Sequence, residues 1–184
     1  ESYYQGSIES IVKSYDDQDK DFLITICLGQ ADIAMRPIMN AFIKFLYEYE
    51  DNLSEIANAS SETINKLLGY ITKESQKEYN ALVKNYQLLV ETLKSYNPHA
   101  DIMLVGFFNT FKEVTINEEL TLPVGSIINP FIDLMNENLR YFARKYGCTY
   151  VDVQNAESSA TTAEWTIGDT FKDFQSSTHP TSAS

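Results

Sequence analysis

The chain has 184 residues, of which 43% are hydrophobic and 22% charged, and its net charge is -12. This length and composition are typical of one globular domain with its own core, which spans residues 1–184. The negative charge excludes nucleic acid and anionic membrane surfaces as partners, because binding to phosphates requires a stripe of cationic residues. No apolar run is long enough to cross a bilayer, so we predict no transmembrane segment.

Cysteine usage and the opening residues bear on the compartment. Cys27 and Cys148 are too few for a disulfide framework, and each falls in or beside a predicted strand, so we expect buried free thiols. Residues 1–4 show neither the basic start nor the apolar stretch of a signal peptide. A processed secreted protein would open in the same way. The compartment therefore stays open, with a secreted or cell-surface location favoured over the cytoplasm.

The first predicted elements are a helix and a strand. The apolar residues of the helix recur at helical spacing and are Ile8, Ile11, Val12 and Tyr15. Residues 22–28 form an apolar run rich in β-branched side chains, which predicts a strand buried on both faces. The run ends at Gly29, where we expect the strand to leave the carboxyl edge of a sheet. Ligands of α/β proteins bind at that edge.

Four further apolar stripes predict helices. Their residues are, in order, Ile38, Met39, Phe42, Ile43, Leu46 and Tyr49; Ile56, Ile64, Leu67, Leu68 and Ile71; Tyr79, Leu82, Val83, Tyr86, Leu89, Val90 and Leu93; and Ile128, Phe131, Leu134, Met135, Leu139, Phe142 and Tyr146. Ser54 or Ser60 is the expected N-cap of the second of these helices. Asn97-Pro98 ends the third, and Gly147 closes the last.

Two more strands are predicted, at residues 101–107 and 149–153, and they alternate with the helices. This alternation indicates right-handed crossovers and a parallel sheet, so the expected fold class is α/β. Residues 155–165 are predicted to be a polar loop. Residues 175–184 form a Ser/Thr-rich tail that carries His179.

Four segments, taken in order, resemble the sequence blocks of the SGNH, or GDSL-type, esterases and lipases. Residues 29–32 (Gly-Gln-Ala-Asp) are similar to that family's Gly-x-Asn-Asp block, and residues 97–102 to its Asn-Pro-x-Ala lead into a strand. Residues 142–153 resemble its helix, Tyr-Gly turn and Tyr-Val-Asp-Val strand. Residues 176–181 (Ser-Ser-Thr-His-Pro-Thr) resemble its Asp-x-x-His-Pro-Thr block.

The resemblance implies a fold and an activity. Family members are flavodoxin-like three-layer α/β/α sandwiches with a parallel sheet, in which the three strands of this chain would lie side by side in chain order. They cleave carboxylic esters, so the implied partner is a small-molecule, lipid or carbohydrate ester, with no metal and no cofactor. A serine attacks the carbonyl, a histidine takes its proton, and an aspartate orients the histidine.

The resemblance also implies site residues. His179 stands at the position of the catalytic histidine, and Ser176 at that of the triad aspartate. The positions implied for oxyanion or substrate binding are Gly29, Ala31 (where the family has asparagine), Asp32 and, for a second glycine, Gly6.

The chain departs from the family pattern in three ways. No Gly-Asp-Ser segment precedes the first strand, residue 31 is alanine, and residue 176 is serine. Losing one oxyanion donor costs roughly 100- to 1000-fold in rate, and losing the triad acid costs about 10,000-fold in a serine protease. We therefore expect an ester-hydrolase scaffold that is inactive or weakly active. The alternative is a non-catalytic binding or structural module on the same scaffold.

Structural explanations stand beside these roles. His179 can be a solvated tail residue, Gly29 a strand-exit glycine, and Asp32 a cap of the following turn. A third possibility is an unrelated flavodoxin-like domain, in which the motif matches would be accidental.

The apolar strand at residues 22–28 would have an unpaired edge, and such edges recruit partners. We expect an N-terminal piece, a second copy or a helix of this chain to cover that edge.

Overall fold

The structure is a computed structural model that describes residues 3–16, 22–48, 60–108, 111–117, 120–154 and 163–166. The protein is mixed α/β and mostly helical. Its elements in chain order are α1 (Tyr3–Asp16), β1 (Leu23–Ile26), α2 (Gln30–Glu48), α3 (Ser61–Tyr96), β2 (Asp101–Val105), β3 (Phe111–Asn117), β4 (Leu120–Leu122), α4 (Val124–Tyr146), β5 (Thr149–Val151) and β6 (Ala163–Thr166).

The three strands predicted from the sequence form one parallel sheet in the order β1-β2-β5. Leu23 of β1 lies opposite Asp101 of β2, and Met103 of β2 lies opposite Thr149 of β5. The prediction of parallel strands lying side by side in chain order is therefore confirmed. Several doubly wound α/β folds share this order, so it does not choose among them.

Helices cover one face of this sheet. Ile26, Ile102 and Leu104 point to that face and are between 0% and 4% exposed. They belong to one core with helical residues such as Ile38 and Val90. Right-handed crossovers that lead from β1 to β2 and on to β5 move in one direction across the sheet. They therefore place their helices on the same face.

The opposite face is open among the residues that the structure describes. Leu23 is 57% exposed, Thr25 is exposed, and Met103 and Val105 are half-buried. The prediction that the first strand is buried on both faces is wrong, because the crossovers bring helices to one side only. The described elements thus support the α/β class without the third layer of a sandwich.

Helix α3 is one continuous helix of 36 residues, where the sequence predicted two. The stretch between the two apolar stripes, residues 72–78, contains neither glycine nor proline, so nothing interrupts the backbone. Ser60 is the N-cap, and its hydroxyl accepts a hydrogen bond from the N–H of Thr63 at 3.2 Å. Ile56 and Ser54 lie outside the described residues. Asn97 ends the helix, as predicted.

Helix α4 ends as the sequence predicts. Gly147 adopts φ 63°, and its N–H bonds to the carbonyl oxygen of Ala143. This left-handed closure turns the chain directly into β5.

A second sheet, with the order β4-β3-β6, was not predicted. Strand β3 pairs antiparallel with β4 and parallel with β6. Lys112 and Glu113 interrupt any apolar run in β3, so the sequence carries no clear strand pattern there. The predicted polar loop is wrong over Ala163 to Trp165, which belong to β6. Residues 155–162 of that loop lie outside the described residues.

The two cysteines are free, but Cys27 is exposed and Cys148 is half-buried. The expectation of a buried thiol is wrong for Cys27, because this residue continues β1 on its uncovered side. None of the helices within the described ranges is both long and apolar enough to span a bilayer.

Candidate functional site

The carboxyl edge of the parallel sheet is the candidate site, and it begins where β1 ends. The hydroxyl of Tyr86 donates to the carbonyl oxygen of Leu28 at 2.6 Å and accepts from the N–H of Leu28 at 3.2 Å. Tyr86 is 3% exposed, and burial raises the pKa of its phenol to about 12. The neutral phenol therefore holds the end of β1 at two points.

Gly29 makes the turn from β1 into α2. Its φ is 88°, a conformation that side chains other than glycine rarely adopt. A Cβ at this position would lie 2.7 Å from Leu82 Cδ2 and 3.6 Å from the ring of Phe107. The carbonyl oxygen of Gly29 accepts the first bond of α2, from the N–H of Ile33 at 3.1 Å. Gly29 is thus needed for both its backbone conformation and its lack of a side chain.

The side chains that follow Gly29 are committed to the fold or carry no donor. The amide of Gln30 donates to the carbonyl oxygen of Phe108 and so ties the ends of β1 and β2 together. Ala31 is exposed and offers only a methyl group. Asp32 pairs with Arg36 at 2.5 Å, an i,i+4 pair that also favours the first turn of α2. Asp32 therefore acts as a structural residue in this turn.

A buried asparagine closes the end of β2. Asn136, on α4, is fully buried, and its Oδ1 accepts from the N–H of Phe107 at 2.7 Å. Its Nδ2 donates to the carbonyl oxygen of Phe107 at 2.8 Å. One side-chain amide thus satisfies both main-chain groups of Phe107, as a neighbouring strand would.

The end of β5 carries a charged pair. Arg140 contacts Asp152 at 2.8 Å, and the N–H of Gln154 donates to the same carboxylate at 2.9 Å. These two donors, with the Gln154 N–H the stronger influence, lower the pKa of Asp152. Gln154 also donates to Asp133 through its amide. The Asp152 carboxylate is therefore ionised and already paired with Arg140 and Gln154.

Tyr150 contributes the one buried side-chain polar atom at this edge that lacks a partner within the described part of the chain. Its hydroxyl is buried, and burial raises its pKa. A Cβ at Gly106 would lie 2.5 Å from that hydroxyl and 3.0 Å from Asn136 Oδ1. Glycine at 106 is therefore what lets these two side chains approach the end of β2.

The structure places only some of the predicted site residues. Gly29, Ala31 and Asp32 lie together at the carboxyl edge. Gly6 lies near the start of α1, as predicted, and its surroundings are outside the described structure. His179 and Ser176 lie outside the described residues, so the roles that the resemblance implies for them stay predictions.

The described histidine, His99, lies at the opposite edge of the sheet from Gly29 and therefore cannot take part in chemistry there. His99 is exposed in the turn before β2, at the amino edge, and its N–H bonds to Oδ1 of Asn97. Within the described ranges, no three His, Cys, Asp or Glu side chains gather as a metal site would require. What this edge offers a ligand is main-chain groups at the start of α2 and the exposed methyl group of Ala31, while the Tyr150 hydroxyl is buried.

Sequence reasoning missed Asn136, Tyr150 and Gln30. The sequence could have indicated Asn136, because this polar residue lies one helical turn after Ile132 and next to the apolar positions of α4. Gln30 had none, since its role depends on a carbonyl group 78 residues away in the chain.

Comparisons with protein-family models, with curated proteins and with solved structures found no match to this chain.

Proposed function

We propose that this chain is an SGNH/GDSL-type ester-hydrolase scaffold that binds an ester-like ligand at the Gly29 turn and hydrolyses it weakly or not at all. The observation that carries the proposal is the parallel order β1-β2-β5 with Gly29, Ala31 and Asp32 at its carboxyl edge. The motif order along the chain supports the family, and the three-layer sandwich of that family is part of the proposal.

The weak activity follows from the groups at this edge. Gln30, which precedes Ala31 in the chain, has its side-chain amide held by a hydrogen bond to the carbonyl oxygen of Phe108, and the methyl group of Ala31 donates nothing to an oxyanion. Asp32 is paired with Arg36. An ester carbonyl placed beside Gly29 would meet main-chain N–H groups, which bind without supplying a nucleophile or a base.

A non-catalytic binding or structural module on the same scaffold is the second candidate. The complete pairing of Asn136 with Phe107 and of Asp152 with Arg140 favours it. Polar groups that satisfy one another rigidify an edge, whereas a catalytic site keeps polar groups free for substrate.

Hydrolysis of p-nitrophenyl acetate separates an enzyme from a scaffold. We compare the chain with His179→Ala and with a matched control, His99→Ala, which removes the other of the two histidines. We expect all three rates to agree within about twofold, because a histidine without its nucleophile and acid gives little rate enhancement. Turnover at the rate of an intact serine hydrolase that disappears in His179→Ala and persists in His99→Ala would show a working hydrolase and defeat the proposal.

Binding at the Gly29 turn is tested separately with N-ethylbutanamide, an uncharged ester analogue that does not hydrolyse easily. We expect saturable amide shifts in NMR spectra at Gly29, Gln30 and Ala31, with none at His99. Shifts at the amino edge alone, or none at any concentration, would remove the ligand site from this turn.

A further inference from the structure

We draw no further inference here: the strongest candidate, the apolar groove that α1 and α3 form with the edge of β1 facing away from β2, carries no proposal, because nothing in the described part of the chain shows what covers it.

Discussion

Replacing Gly29 by alanine tests whether the turn at the carboxyl edge is built as described. The native φ of 88° places alanine in a conformation that costs about 1–2 kcal/mol. The new Cβ would also lie 2.7 Å from Leu82 Cδ2. Because Leu82 is 7% exposed, its rotation disturbs packed neighbours, and overpacking of this kind costs about 1–3 kcal/mol.

The two costs sum to about 2–5 kcal/mol, and alanine recovers about 0.4–1 kcal/mol by restricting the unfolded chain. We therefore expect Gly29→Ala to lower the free energy of unfolding by about 1–5 kcal/mol, measured by urea denaturation monitored by circular dichroism. Gly69→Ala is the matched control. Gly69 lies inside α3, where an added Cβ would meet nothing within 4 Å, so alanine there stabilises the chain by about 0.5–1 kcal/mol.

A double variant separates strain from steric conflict. In Gly29→Ala/Leu82→Ala the clash is gone and the backbone strain remains. We expect the double variant to be more stable than the sum of the single effects predicts, by about 1–3 kcal/mol. Equal effects of alanine at positions 29 and 69, or strict additivity with Leu82→Ala, would refute the described turn.

Two further substitutions probe the buried polar contacts. Asn136→Leu leaves the N–H and C=O of Phe107 unpaired, so we expect the free energy of unfolding to fall by about 2–4 kcal/mol and hydrogen exchange at Phe107 to become faster. The control Asn138→Ala should cost less than about 1 kcal/mol. Equal losses in the two variants would contradict the role of Asn136. Tyr86→Phe should cost about 1–2 kcal/mol at neutral pH. The stability difference between this variant and the unaltered chain should shrink between pH 10 and about 12, because the phenol ionises near its ordinary pKa of 10.0 when unfolded and resists ionisation when folded. A difference independent of pH over that range would contradict the buried phenol.

The local patterns of the sequence predicted most of the fold. The helical stripes, the Ser60 cap, the Gly147 closure and the positions of three strands follow from rules that act within a few residues. The parallel direction of those strands follows from their alternation with helices along the chain. The resemblance to ester hydrolases likewise drew attention to Gly29, and the structure gives that residue a demanding backbone conformation. The ester-hydrolase activity itself stays a proposal.

Tertiary structure alone decided what depends on distant parts of the chain. The direction of the crossovers decides whether β1 is buried on one face or on both. The apolar run at residues 22–28 is compatible with either arrangement. The pairing of β3 with β6 joins segments about fifty residues apart in sequence, and no local sequence pattern predicts that pairing. Hydrogen bonds such as those of Asn136 to Phe107 and Tyr86 to Leu28 are likewise long-range. The contribution of these hydrogen bonds to stability depends on the burial of their donors and acceptors in the folded protein, which the local sequence pattern does not encode.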